Sequence, residues 1–134
     1  MHVFLRGWLM ARIMICDDAV FMLKSLSLTV TKMGHKVVAE TIDGQDAVKS
    51  YMEEKPDLVL MDISMPVKDG IEALKEIMKI DPDAKVIIIS GLGYQATVVD
   101  AVKAGAKEFL VKPVSYADLS RCIHKYVPVP VKKE

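Results

Sequence analysis

Two cysteines in 134 residues, Cys16 and Cys122, are too few for the disulfide framework of a small secreted domain. No C-x-x-C spacing marks a metal knuckle. Cys16 sits in an apolar strand-like run and Cys122 in a helical segment, so both read as reduced structural thiols and point to a cytoplasmic protein. Net charge is missing as well, since 18 Lys+Arg offset 18 Asp+Glu. That balance argues against a generally basic nucleic-acid binder, while leaving room for a local patch. No apolar run approaches the roughly 20 residues a membrane span requires. The apolar N-terminal stretch 1–10 (MHVFLRGWLM) is interrupted by Arg6 and Gly7 and lacks the features of a signal peptide, so no membrane role is expected. Internal repeats and low-complexity blocks are absent. What is present is 51% hydrophobic residues, which excludes disorder for most of the chain. A domain of this size buries roughly two-thirds of its unfolded surface and folds without staples.

Short apolar runs alternate with segments of helical period. Residues 12–16 (RIMIC), 36–40 (KVVAE), 57–61 (DLVLM), 85–89 (KVIII) and 107–111 (KEFLV) read as strands. Between and after them, Val20, Leu23, Leu26, Val30 and Met33, then Ala47, Val48 and Tyr51, then Ile71, Leu74 and Met78, then Val98, Val99 and Val102, and finally Leu119, Ile123 and Tyr126 mark five helices. Gly34 and Gly105 read as helix stops, as do Pro56 and Pro82, and Asp43-Gly44 reads as a turn. The strands are continuous apolar runs, as in a parallel sheet covered on both faces. The expected fold is therefore α/β, a doubly wound five-stranded parallel sheet of (βα)5 type. Residues 11–126 form the domain. Segment 1–10 is an N-terminal extension, or sequence upstream of a start at Met10. The Pro-rich tail 127–134 is a plain end or the stub of a linker.

The informative polar residues follow the strands. Asp17 and Asp18 follow the first, Asp62 the third, Ser90 the fourth, and Lys112 with Pro113 the fifth. Taken singly, Asp17 or Asp18 could be a helix cap, Asp62 a loop acid, Ser90 a cap and Lys112 a solvated lysine. In a parallel sheet, however, all of them lie at the carboxyl edge, where open α/β sheets bind ligands. Two carboxylates about 5 Å apart repel by about 3 kcal/mol at an effective dielectric of 20. A hard divalent ion such as Mg²⁺ relieves that repulsion and has an affinity for phosphate. Lys112 adds a fixed cation. Asp62 is then the natural nucleophile for a phosphoryl group, and Ser90 a donor to its oxygens.

The acid pair in ICDDAVFM, the aspartate in DLVLMDISMPVKDGIEAL, Ser90 in VIIISG and the lysine in AGAKEFLVKP together resemble the receiver domain of bacterial two-component response regulators. The stand-alone chemotaxis regulators of CheY type are the nearest in character. The resemblance covers residues 11–126. It implies the flavodoxin-like strand order 2-1-3-4-5 and phosphorylation of Asp62 by a sensor histidine kinase. It also implies Mg²⁺ on Asp18, Asp62 and the backbone carbonyl of Ser64, with Asp17 assisting. Lys112 would contact the phosphoryl group, and a cis bond is expected at Lys112-Pro113. Ser90 and Phe109 would form a switch, and Val98, Lys103, Phe109 and Tyr116 would lie on a helix 4–strand 5–helix 5 output face. The output partner would be a flagellar motor switch or a phosphorelay protein, with no direct nucleic-acid contact and no membrane, the protein being a monomer or a phosphorylation-dependent dimer. Two features depart from the common pattern. Phe109 replaces a frequent tyrosine and should favour the buried position, and Leu92 has no polar group to orient water, so slow self-hydrolysis is expected.

Other readings are a receiver fragment of a longer regulator, an unphosphorylated interaction module, a flavin-binding module of the same topology, and a Mg²⁺-dependent aspartyl-phosphate phosphatase of the haloacid-dehalogenase type. The phosphatase would need a second aspartate where Ser64 stands. In the flavin module, Asp17 and Asp18 would repel the bound phosphate.

Overall fold

The computed structural model describes residues 10–91 and 93–127. The N-terminal extension apart from Met10, the tail beyond Val127, and Leu92 lie outside the described residues. Strands and helices alternate as β1 (Arg12–Cys16), α1 (Val20–Lys32), β2 (Lys36–Thr41), α2 (Gly44–Glu54), β3 (Leu58–Met61), α3 (Gly70–Ile80), β4 (Val86–Ser90), α4 (Gln95–Ala104), β5 (Glu108–Val111) and α5 (Tyr116–Tyr126). Every strand pairing is parallel, and the order is β2-β1-β3-β4-β5, as the resemblance implies. Strand ends differ from the sequence reading by a residue. Most notably, Ser90 is the last residue of β4 instead of following it.

Side chains of the central strands alternate between two cores, because successive residues of a strand point to opposite faces. Ile13, Ile15, Leu58, Leu60, Ile87 and Ile89 pack under α1 and α5. Met14, Cys16, Val59, Met61, Val86 and Ile88 pack under α2, α3 and α4. The sheet is thus covered on both faces, which explains why its strands lack polar alternation. Since α1 and α3 leave to opposite sides, the chain parts between β1 and β3 and opens a crevice at the carboxyl edge.

Helix starts follow local chemistry. Asp69 and Glu72 form a capping box on α3, Asp43 accepts from the Asp46 amide at 2.8 Å, and Ser115 accepts from the Asp118 amide at 3.0 Å. Asp43-Gly44, read from sequence as a turn, is therefore the start of α2. At the other ends, Gly34 and Gly105 take φ of +97° and +113°, conformations open to glycine without penalty.

The edge strand β5 holds α5 through one carboxylate. Glu108 accepts from both Arg121 guanidinium nitrogens at 3.2 Å, from the Tyr126 hydroxyl at 2.9 Å and from the Cys122 thiol at 3.3 Å. These donors, Arg121 first among them, hold the Glu108 carboxyl down at about 2 against its ordinary 4.5, despite an opposing push from burial. A depressed acid contributes stability that is complete above its unfolded pKa and lost as pH falls through its folded one. The wild-type protein should exceed a Glu108→Gln variant by up to about 1 kcal/mol at neutral pH, the scale of part-exposed ion-pair networks. That advantage should shrink between pH 4.5 and about 2. Urea titrations across this range measure it, and an advantage independent of pH would contradict the role given to Glu108.

Candidate functional site

Backbone bonds carry the sheet one residue past the strand ends. The Asp17 amide donates to the Thr41 carbonyl at 3.0 Å, the Asp62 amide to the Cys16 carbonyl at 2.9 Å, and the Lys112 amide to the Ser90 carbonyl at 2.9 Å. These bonds fix the backbone from which the three candidate side chains, Asp17, Asp62 and Lys112, project. β1 and β3 are neighbours, so Asp17 and Asp62 stand side by side on strands about 4.8 Å apart. Lys112 comes from β5, two strands beyond Asp62, and its long side chain spans the gap.

The result is one polar cluster. Asp17, Asp18 and Asp62 each offer a carboxylate oxygen, and these oxygens lie within 4.8 Å of one another. The Lys112 ammonium is 2.8 Å from Asp17 Oδ2 and 3.5 Å from Asp62 Oδ2. Asp17 is 1% exposed and Asp62 6%, whereas Asp18 faces solvent. The second oxygen of Asp17 accepts from the Ala19 amide at 2.9 Å, and Oδ1 of Asp62 accepts from the Ile63 amide at 2.8 Å. Neither Asp17 nor Asp18 caps α1. The cap is Ala19, without a side-chain bond, so the helix forgoes a side-chain cap while Asp17 is turned towards Lys112.

Burial raises the Asp62 pKa, and the neighbouring Asp17 adds to that rise while Lys112 opposes it. For Lys112, burial disfavours the ammonium, yet Asp17 and Asp62 outweigh it and hold the group above its ordinary value. Three carboxylates against one ammonium leave the cluster two charges negative. A dication balances that charge. Oxygen ligands about 2.1 Å from Mg²⁺ lie about 3 Å apart along an octahedral edge and about 4.2 Å across it. Three oxygens within 4.8 Å of each other, all hard donors, fit such an ion with a small closure.

Other predicted residues lie around this cluster. Ser90 is buried at the end of β4, next to Lys112 in the sheet. The Lys112-Pro113 peptide bond is cis. Ser64 is exposed, in the loop between Asp62 and α3. Phe109 is half-buried and packs on the α2–α3–α4 core. Val98 is half-buried and Tyr116 is 59% exposed. Lys103, grouped with these residues in the sequence reading, instead lines a groove between α3 and α4.

Sequence reasoning missed the residues that shape the loop after Asp62. A Cβ at Gly70 would collide with the Asp62 carbonyl, and one at Gly44 with the Lys68 carbonyl. The Gly70 amide donates to the Ile63 carbonyl at 2.8 Å, closing the loop. Val67, a β-branched residue, takes φ of +70°, and the Lys68 amide bonds back to the Pro66 carbonyl at 2.7 Å. Lys68 is tied in turn to Glu76. The repeated Asp-Gly pairs at 43–44 and 69–70 are the one sequence signal that marks this crowding.

A carboxyl-edge cluster of three acids and a lysine on a 2-1-3-4-5 parallel sheet defines a receiver-type signalling domain. The chain belongs to the response regulator receiver domain family, whose model matches residues 13–124. It is a CheY-like member. It is 50% identical to the chemotaxis protein CheY of Thermotoga maritima over 114 residues, 85% of this chain and 95% of that one. Its identity to the Bacillus subtilis chemotaxis protein CheY is 49% over the same shares of the two chains. Among solved structures, CheY in the CheX-CheY-BeF3-Mg²⁺ complex of Borrelia burgdorferi superposes with a TM-score of 0.85 at 36% identity, covering 93% of this chain and 95% of that one. Phosphoacceptor signalling of the two-component type, with chemotaxis as its setting, is the function this family and these relatives support. Among the described residues no helix is long and apolar enough to cross a membrane.

Because the Gly70 backbone rests on the Asp62 carbonyl, a Gly70→Ala variant must move the loop after Asp62. A loss of about 1–3 kcal/mol, the scale of overpacking, is expected in urea unfolding. Unchanged stability would show that the close approach is dispensable.

Proposed function

We propose that Asp62 accepts a phosphoryl group from a sensor histidine kinase and thereby switches partner binding. The observation that carries this reading is the convergence of Asp17, Asp18 and Asp62 within 4.8 Å, with Lys112 across Asp17 and Asp62. In the transfer, an Asp62 carboxylate oxygen forms a bond to phosphorus. The phosphorus–nitrogen bond of the donor phosphohistidine breaks, and its electron pair returns to the imidazole. Lys112 supplies fixed positive charge beside the incoming oxygens, and the Ser90 hydroxyl donates to one of them. Asp17, Asp18, Asp62 and the Ser64 carbonyl would hold Mg²⁺, whose role is to neutralise the charge that gathers there. The Mg²⁺ and BeF3 named with the Borrelia CheY complex support that assignment by likeness.

Output is a shift between two packings of the α4–β5–α5 face. Ser90 moves toward the phosphoryl group, and Phe109 follows inward, its ring free of any hydroxyl that would hold it at the surface. Val98, Phe109 and Tyr116 belong to the face that a downstream protein reads, either a flagellar motor switch or a phosphorelay protein. The protein acts without direct nucleic-acid contact, in the cytoplasm, as a monomer or a phosphorylation-dependent dimer. Residues 11–126 are the receiver unit, whether alone or within a longer regulator.

Wild-type protein incubated with acetyl phosphate and Mg²⁺ should gain one phosphoryl group by intact mass, and an Asp62→Asn variant or a chelator should abolish the gain. Full labelling of Asp62→Asn would place the acceptor elsewhere. Leu92 lacks a group to orient water, so the phosphorylated protein should lose its label slowly, and Leu92→Glu should change the rate. Decay equally fast in both proteins would remove Leu92 from the account.

A further inference from the structure

The zero net charge of the chain conceals a local excess. A groove of about 490 Å³ runs between α3 and α4, lined by Ile71, Lys75 and Lys79 from one helix and Asp100, Lys103 and Ala104 from the other. Three ammonium groups face one carboxylate. All four charged side chains are exposed, and none makes a side-chain hydrogen bond or ion pair among the described residues. The acids nearest in sequence are committed elsewhere, Glu76 to Lys68 and Glu72 to the Asp69 amide at the start of α3. Beneath the charges, Ile71 and Ala104 are half-buried and pack on the α2–α3–α4 core, which gives the groove an apolar floor.

We infer that this groove is a second docking surface, for an acidic amphipathic segment of a protein partner. The argument is complementarity of charge and shape. Lys75 and Lys79 are one helical turn apart, about 6 Å, the same spacing that separates carboxylates at i and i+4 on a partner helix. A third acid reaches Lys103 across the groove, and an aliphatic side chain between the acids covers Ile71 and Ala104. Asp100 selects against basic partners and sets the register of the acids. A nucleic-acid strand is the poorer occupant. The groove has no arginine and no aromatic ring to stack a base, it is short, and the neutral protein exerts no long-range pull on a polyanion. The surface is separate from the phosphoacceptor cluster, and the inference holds whether or not Asp62 is modified.

The test uses the unphosphorylated full chain and a blocked helical peptide carrying Glu at i, i+4 and i+7 with Leu between them, set against the same peptide with Gln for Glu. Amide shifts in a nitrogen-15 titration should centre on Ile71, Lys75, Lys79, Lys103 and Ala104 for the Glu peptide and be absent for the Gln peptide. Reversing all three lysines to glutamate should weaken binding at least about tenfold, the order expected for losing several modest ion pairs. An Asp100→Asn variant should bind more tightly. These lysines are solvent-exposed, so an unchanged thermal midpoint checks that the triple variant is folded. No shift at millimolar peptide, shifts spread over lysines elsewhere, or equal affinity in the triple variant would overturn the inference. So would a single-stranded RNA oligonucleotide moving the same amides where the Glu peptide does not.

Discussion

Mutual repulsion among Asp17, Asp18 and Asp62 is the constraint around which the carboxyl edge of this sheet is organised. Two such charges about 5 Å apart oppose one another by about 3 kcal/mol at a dielectric of 20, a large share of a small domain's net stability. The chain offsets part of it with Lys112, which contacts two of the three acids. The remaining double negative charge is one that a dication would balance. The same geometry that makes the cluster costly is what the proposed function uses, since a metal and a phosphoryl group would each relieve or exploit that charge.

Holding repelling groups together requires a rigid frame, and the frame is backbone. Bonds from the Asp17, Asp62 and Lys112 amides extend the ladder past β1, β3 and β5. The loop after Asp62 is pressed between α2 and α3 so tightly that a Cβ at position 44 or 70 would collide with its backbone. Val67 lies in the left-handed region, which for a β-branched residue costs of order 1–3 kcal/mol. Strain in this loop is tolerable when the surroundings over-determine it, and here the capping box of α3 and the Lys68–Glu76 pair do so.

Much of this was legible in the sequence for a simple reason. A buried parallel sheet writes its strands as unbroken apolar runs, and whatever polar residue ends a run lands at one edge. Asp17, Asp62 and Lys112 could be placed on that ground alone. Residues whose role depends on side-chain direction or on distant backbone could not. Glu108 lies inside a run that reads only as a strand, and nothing in KEFLV tells that its carboxylate turns to α5. Gly70 looks like an ordinary helix start until the Asp62 carbonyl is seen beneath it. Lys103 sits on α4, but which side of α4 it occupies depends on how that helix is rolled against α3.

That roll bears on where the proposed switch would act. Of the five helices, α4 is the least anchored. It buries only Ala101, while α1, α2 and α3 each bury four residues and α5 buries three. It also starts at Tyr94 without a side-chain cap. On its other flank α5 is fixed to β5 through Glu108, so under the proposed switch a movement of Ser90 would meet a firm helix on one side and a loosely held one on the other. Under that proposal repacking would fall on α4 and on Phe109, which lies against the core close to it, because those are the contacts with least to lose. Both surfaces argued above include this helix: the proposed output face on one side and the lysine groove shared with α3 on the other. A displacement of α4 large enough to remake the first also changes the width of the second, since Lys103 and Ala104 move with the helix while Lys75 and Lys79 stay with α3.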